Sequence, residues 1–320
     1  MISSVSVCWG QTNTRAPIEG FADVNGVRLE YLDWGGNGPA LVLIHGLADN
    51  PHVFDDLAPA FTDRFRVIAY ARRGSGNSDL KGPYDIGTLT EDLRGLMDAL
   101  RVQKADLVGY SAGGDEVTSF AATYPDRVGR IVYLDAAYDF TSADFHAAVD
   151  ALPIHPFDRP QAAMASLEAY RAYSQATSYP ELDPAGMQRI EANLRTKVVL
   201  QADGTLRDRT PKSVIDALYA ALWVDKPPQY VRLRCPALAI YTASLYDLHI
   251  ADPQRRAEVT AFETRYWRPF QEKSMQRVRR EIAGVEIAEV QGAHGNFTLL
   301  NRDKVVGMLR RFLRSQRAGS

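Results

Sequence analysis

From Phe21 to Val290, short runs of apolar residues alternate with longer runs in which apolar positions recur every three or four residues. That alternation predicts a mostly parallel sheet flanked by helices, an α/β fold. Asn25-Gly26, set between Val24 and Val27, predicts an opening hairpin, because Asn-Gly supplies the positive φ angles of a tight turn. Strands are expected at Ala40 to His45, Phe65 to Tyr70, Ala105 to Gly109, Val128 to Leu134, Ala237 to Tyr241 and Val285 to Val290. Most of them are apolar throughout, as strands buried on both faces are. Leu89, Leu93, Leu96, Met97 and Leu100 fall at helical spacing, as do Leu299, Leu300, Val306, Leu309 and Leu313, so both groups should form helix faces packed on the sheet.

Between about Tyr138 and Arg234 the alternation lapses, and helical segments follow one another without buried strands. Asp183-Pro184 and Thr210-Pro211 each look like a cap followed by proline at the first helical position, and Ala202-Asp203-Gly204-Thr205 reads as a turn. Residues 138–234 are therefore expected to form a mainly helical cap, inserted into a core made of residues 21–137 and 235–316, with residues 1–20 as an N-terminal extension.

Composition narrows the partners. A chain of 320 residues with 46% hydrophobic and 24% charged residues can bury a large core and is not a disordered or fibrous type. A net charge of −2 offers no basic field for nucleic acid, and no apolar run approaches the ~20 residues of a membrane span. Arg310, Arg311, Arg314 and Arg317 read as a solvated helix face. Cys8 and Cys235 are too few for a disulfide framework or a zinc site and read as free thiols. The apolar stretch Val5 to Trp9 lacks a basic start, so a cytoplasmic location and a small-molecule partner are expected, with no nucleic acid and no membrane.

The chemistry concentrates at Gly109-Tyr110-Ser111-Ala112-Gly113. This G-x-S-x-G follows an apolar strand and opens a helical stretch, the context in which the glycines permit a sharp turn and the serine hydroxyl projects into a site. Serine needs a base, and histidine has the suitable pKa. Of six histidines, His294 in Gly292-Ala293-His294-Gly295 sits just after the last strand, where a short loop returns the imidazole to the sheet edge that carries Ser111. His45 ends an apolar strand and reads as structural, while the amides of Leu47 and Ala112 can form an oxyanion hole. His52, His146, His155 and His249 show no metal-ligand spacing, and neither metal nor cofactor is expected.

These residues resemble the α/β-hydrolase fold family, in a serine-nucleophile, esterase-like branch with an inserted cap. Asn25 to Leu29 and Gly38 to Gly46 are similar to the family's opening hairpin and oxyanion strand, and Tyr70 to Ser78 to its next strand and turn. The resemblance implies a triad in the order serine, acid, histidine, with the acid usually placed after the strand that follows the cap. Here the usual offset from Pro236 holds Leu245, and Asp247 comes two positions later. A variant of the family places the acid at the end of the strand after the elbow, where Val132-Tyr133-Leu134-Asp135 supplies an aspartate. Asp135 is preferred, Asp247 is the alternative and Asp252 a third. Dehalogenase and epoxide-hydrolase relatives use an aspartate nucleophile, so Ser111 argues against both.

The expected activity is hydrolysis of a carboxylic ester or lactone through an acyl-enzyme on Ser111. Thioesterase, peptidase or carbon-carbon hydrolase chemistry on the same triad, or a non-catalytic ligand receptor on the fold, are the competing readings. Phe140, Phe145, Phe157, Tyr170, Tyr173, Tyr179, Tyr219 and Trp223 can line an apolar pocket or form the cap's own core.

Overall fold

A computed structural model of the chain describes residues 16–154, 159–223 and 226–314. Cys8 and the Val5 to Trp9 stretch, His155, Phe157 and Arg317 lie outside the described residues. The strands are β1 (Ile18–Val24), β2 (Val27–Gly35), β3 (Ala40–Ile44), β4 (Arg66–Tyr70), β5 (Ala105–Tyr110), β6 (Val128–Leu134), β7 (Val198–Leu200), β8 (Leu206–Asp208), β9 (Ala237–Ser244) and β10 (Glu286–Ala293). Eight of them form one sheet in the order β1-β2-β4-β3-β5-β6-β9-β10; β1 to β2 and β2 to β4 are antiparallel, and the other pairs are parallel.

The parallel centre is buried because its residues are apolar on both faces. Every residue of β3 and nearly every residue of β5 and β6 is buried. Helix α1 (Ile86–Ala99) begins where Asp85 Oδ1 accepts a hydrogen bond from the Thr88 amide at 3.0 Å, and it turns Leu89, Leu93, Leu96 and Met97 onto the sheet. Helix α2 (Gly113–Thr123) packs against α1 and β5.

Between β6 and β9 the chain adds no strand to the large sheet. It forms α3 (Ala143–Asp150), α4 (Leu167–Ser178), α5 (Pro184–Arg189), α6 (Glu191–Thr196) and α7 (Lys212–Trp223). Asp183 caps α5 as expected, accepting from the Gly186 amide at 2.7 Å. The mainly helical segment also holds the small β7-β8 hairpin, whose strands were not expected but whose turn is the one read at Ala202-Asp203-Gly204-Thr205, with Gly204 at φ +85°. Strands of three residues are too short to leave a period-two signature.

After β9 come α8 (Pro253–Phe262), a π-helical turn over Glu263–Trp267 and α9 (Arg268–Glu281). The last helical face is split. Leu299 belongs to α10 (Phe297–Leu300), and α11 (Arg302–Arg314) starts afresh to bury Val305, Leu309, Phe312 and Leu313. Leu299 and Leu300 instead pack against the cluster of Tyr170, Leu182, Met187, Ile190 and Leu194 in the β6-to-β9 segment. No described helix is long and apolar enough to cross a membrane.

Candidate active site

The elbow glycines act through their missing Cβ atoms. A Cβ on Gly109 would lie 2.5 Å from the Gly113 carbonyl oxygen, and one on Gly113 would lie 2.3 Å from the Ile44 oxygen. Strand β5, helix α2 and strand β3 can therefore meet only because both residues are glycine. Between them Ser111 adopts φ +53°, a left-handed conformation that an L-residue holds only when its surroundings impose it. The turn faces the Ser111 side chain toward a cavity of about 520 Å³, which His294, Leu47 and Gly46 also line. Ser111 Oγ and the His294 imidazole are not hydrogen-bonded to each other; such contacts commonly tighten when a substrate binds.

His294 is fixed on several sides. Its amide donates to the Ser244 carbonyl at 3.0 Å, its carbonyl accepts from the Tyr110 hydroxyl at 3.0 Å, and its ring stacks on Tyr110 at 5.1 Å. Its Nδ1 lies 2.6 Å from Asp135 Oδ2. Asp135 is fully buried at the end of β6, with φ +48°. It also accepts from the Thr242 hydroxyl at 2.8 Å, the Thr242 amide at 3.1 Å and the Tyr138 hydroxyl at 2.5 Å. With its acceptor sites filled by fixed donors, the carboxylate can hold only one imidazole orientation, which leaves Nε2 as the proton acceptor.

Asp247 also lines the cavity but has other partners. Its Oδ1 accepts from the His249 amide and meets His249 Nδ1, each at 2.9 Å, and its Oδ2 accepts from Asn296 Nδ2 at 2.6 Å. Asn296 Oδ1 in turn accepts from the Ala293 amide at 3.0 Å, so Asp247 braces the loop that carries His294 rather than the imidazole itself. Asp252 caps α8, accepting from the Gln254 and Arg255 amides.

Leu245, at the usual offset for the acid, presents its backbone to Glu263. Glu263 Oε1 accepts from the Leu245 and Tyr246 amides at 2.8 and 2.9 Å, while burial pushes its carboxyl up to about 7. The folded state then binds this proton more tightly than the unfolded chain does, so stability falls as pH rises from about 4.5 to about 7. Glu263→Gln keeps the accepting oxygen and removes the charge. It is expected to be more stable than the wild type at pH 8, by up to about 3 kcal/mol, and to match it near pH 4.5. Urea unfolding at the two pH values checks this, and a pH-independent difference would contradict it.

The loop at His45 and Gly46, just before Leu47, is held by a residue with no role assigned from the sequence. Arg72, 1% exposed, donates from Nη1 to the Gly46 carbonyl at 2.9 Å and from Nη2 to the His45 carbonyl, and its Nε meets Glu116 Oε2 at 3.2 Å. Burial holds the Arg72 pKa down at about 10, which leaves the guanidinium charged at neutral pH. In a trans peptide the carbonyl and the following amide point in opposite directions, so drawing the Gly46 oxygen onto Arg72 turns the Leu47 N–H away from it. His45 supports the same loop: Nδ1 bonds the Gly46 oxygen at 2.7 Å, and burial lowers its pKa well below the ordinary value. The loop abuts the elbow, since a Cβ on Gly46 would sit 3.0 Å from Ser111 Cβ. Ala112 is fully buried at the start of α2. Arg72→Leu is therefore expected to lower kcat about 100-fold through loss of loop geometry, with KM little changed. Steady-state kinetics decides: a rise in KM at constant kcat would show that Arg72 acts otherwise. The signal in the sequence was a charge immediately behind the buried run Val67 to Ala71, one that only a buried acid elsewhere can match.

The cavity is lined by Phe140, Phe145, Tyr170, Tyr173, Tyr179, Tyr219 and Trp223, seven of the eight aromatics for which a pocket lining and a core of the cap were the two readings. The ligand-type atoms of Glu181, Asp247 and His249 lie within 4.8 Å of one another, which sequence spacing did not reveal. The hydrogen bond to Asp247 and the charge of Glu181 raise the His249 pKa, and its Nδ1 lies 2.9 Å from Asp247 Oδ1 and 3.4 Å from Glu181 Oε2.

Residues 39–169 match the α/β-hydrolase fold family. Among characterised relatives, the chain is 33% identical over 206 residues to 2-(acetamidomethylene)succinate hydrolase of Mesorhizobium japonicum, an alignment that covers 64% of this chain and 70% of the relative. The chain belongs to the α/β-hydrolase family. Solved structures agree at the level of fold. A crystal structure of E-2-(acetamidomethylene)succinate hydrolase superposes with a TM-score of 0.72 at 23% identity, covering 93% of this chain and 100% of that one. The enol-lactonase from Burkholderia xenovorans superposes with a TM-score of 0.63 at 24% identity, covering 92% and 99%. In this α/β hydrolase the sheet order explains the reach of Asp135: β9 lies between β6 and β10, and Thr242 on β9 holds the carboxylate as it spans to the loop after β10.

Proposed function

We propose that this α/β hydrolase cleaves a carboxylic ester or lactone of small to medium size through an acyl-enzyme on Ser111. The observation that carries the reading is the 2.6 Å contact between His294 Nδ1 and buried Asp135, with Ser111 and His294 on one cavity. Nε2 of His294 takes the Ser111 proton as Oγ attacks the carbonyl, and the oxyanion is held by the amides of Leu47 and Ala112. The imidazolium, stabilised by Asp135, returns that proton to the leaving alcohol, and water activated by the same imidazole releases the acid. Residues 138–234 act as a cap on a core of residues 21–137 and 235–316; the aromatics from α3, α4 and α7 that line the cavity support that division.

A second reading, hydrolysis of an acylated nitrogen, is favoured by the Mesorhizobium relative, whose name makes it the hydrolase of an acetamidomethylene compound. The same serine, base and amides serve either carbonyl. A panel of chromogenic esters, lactones, thioesters and amides separates them. Esters or lactones are expected to give the highest kcat/KM, and an amide or thioester that outruns every ester would overturn the assignment.

A further inference from the structure

The lining of the catalytic cavity is mixed in chemistry. Part of it is aromatic, where Phe145 meets both Phe140 and Trp223 edge to face at centroid distances of 4.9 and 5.1 Å. Two cations line it as well. Lys197, just after α6, places Nζ 3.2 Å from Asp49 Oδ1, two residues beyond Leu47. Arg159 bonds Asp208, with its guanidinium 5.4 Å from the centroid of the Tyr170 ring. Both cations line the cavity, together with Tyr170 and Tyr179. Burial opposes the charge on Lys197, but Asp49, Tyr179 and Tyr170 outweigh it and raise the pKa above the ordinary value, so the ammonium stays charged.

Hydrogen-bonding capacity around these two cations is lopsided. An ammonium carries three donors and a guanidinium five, with no acceptor on either. Among the described residues, Asp49 is the acceptor found for Lys197 Nζ and Asp208 the acceptor found for Arg159. Asp49 Oδ1 also takes Asn193 Nδ2 at 2.8 Å, so its capacity is shared. A wall of partly committed donors in a largely buried cavity suits a group that only accepts, and a carboxylate is such a group. Because Asp49 and Asp208 already balance the two cations, the wall suits a monoanion better than a dianionic phosphate.

We propose that Lys197 and Arg159 form a carboxylate subsite, so that the substrate carries a carboxylate remote from the carbonyl that Ser111 attacks. This deepens the serine-hydrolase reading and rests on it for the reacting bond, but the subsite can be tested by binding alone. Two paired comparisons are needed. In the first, kcat/KM is measured for the mono-p-nitrophenyl ester of adipic acid and for p-nitrophenyl hexanoate, with wild type, Lys197→Met, Lys197→Arg and Arg159→Gln. The wild type should favour the acidic ester by about tenfold or more, the worth of one charge-assisted hydrogen bond. Lys197→Met and Arg159→Gln should each lose that preference and keep hydrolysis of the hexanoate, while Lys197→Arg should restore part of it.

In the second, calorimetry compares binding of 6-amino-6-oxohexanoate and hexanamide to Ser111→Ala, with and without Arg159→Gln. Arg159 is the partner whose loss leaves the Asp49–Lys197 pair intact, so this comparison survives a misfolded Lys197→Met. Tighter binding of the carboxylate ligand, lost on Arg159→Gln, supports the subsite even if neither ester is turned over. Equal affinities, or no binding of the carboxylate ligand, overturn the subsite, whereas turnover of both esters without discrimination would leave the hydrolase reading standing and remove this one.

Discussion

Ser111→Ala is expected to lower turnover of a susceptible ester by roughly 10⁶-fold, the scale seen when the nucleophile of a triad is removed. The change deletes one oxygen at a position whose backbone already sits at φ +53°, and alanine meets that conformation with the same backbone cost as serine. The fold should therefore survive, with an unfolding midpoint close to that of the wild type. Glycine neighbours at 109 and 113, rather than the Ser111 side chain, allow β3, β5 and α2 to approach. A variant that is folded and inactive places the loss in chemistry. A folded variant that keeps wild-type turnover removes Ser111 from the mechanism.

The second large effect concerns the acid. Asp135→Asn should lower kcat by about 10⁴. The asparagine amide would present an N–H where Asp135 Oδ2 now faces His294 Nδ1 at 2.6 Å. That forces the imidazole proton onto Nε2, the atom that must accept from Ser111. The surrounding donors, the Thr242 amide and hydroxyl and the Tyr138 hydroxyl, then compete for one remaining oxygen. Asp247→Asn should cause a far smaller loss, because Asp247 reaches the His294 loop only through Asn296. Stopped-assay kinetics on the two variants distinguishes the roles, and the opposite ranking would give the acid's role to Asp247.

Much of the sheet was legible because its centre is extreme in composition. Strands β3, β5 and β6 are apolar on both faces, a pattern that neither a loop nor a surface helix produces. The edges were less legible. Exposed β1 and β10 carry Glu19, Glu286, Glu289 and Gln291 among their apolar residues, so their ends blur into turn-like sequence. The elbow was legible for a different reason: the glycines that flank Ser111 are required by backbone contacts shorter than any Cβ allows. The acid was not decidable locally, because Asp135 and Asp247 both follow strands and only the order β6-β9-β10, with Thr242 between, determines which carboxylate meets Nδ1. Arg72 was hidden for a similar reason. Its partners, the His45 and Gly46 carbonyls and Glu116, lie 26 to 44 positions away along the chain. The Lys197 and Arg159 wall belongs to the segment whose helices follow no sheet periodicity, where sequence spacing says little about which side chains share a cavity.

The most direct measurement is intact-protein and peptide mass spectrometry after treatment with a fluorophosphonate, at a concentration that labels one site. The expected result is one adduct per chain, on Ser111, slowed strongly in Asp135→Asn and absent in Ser111→Ala. An adduct on another residue, or equal labelling of Ser111→Ala, would contradict a nucleophile at the β5–α2 turn served by His294.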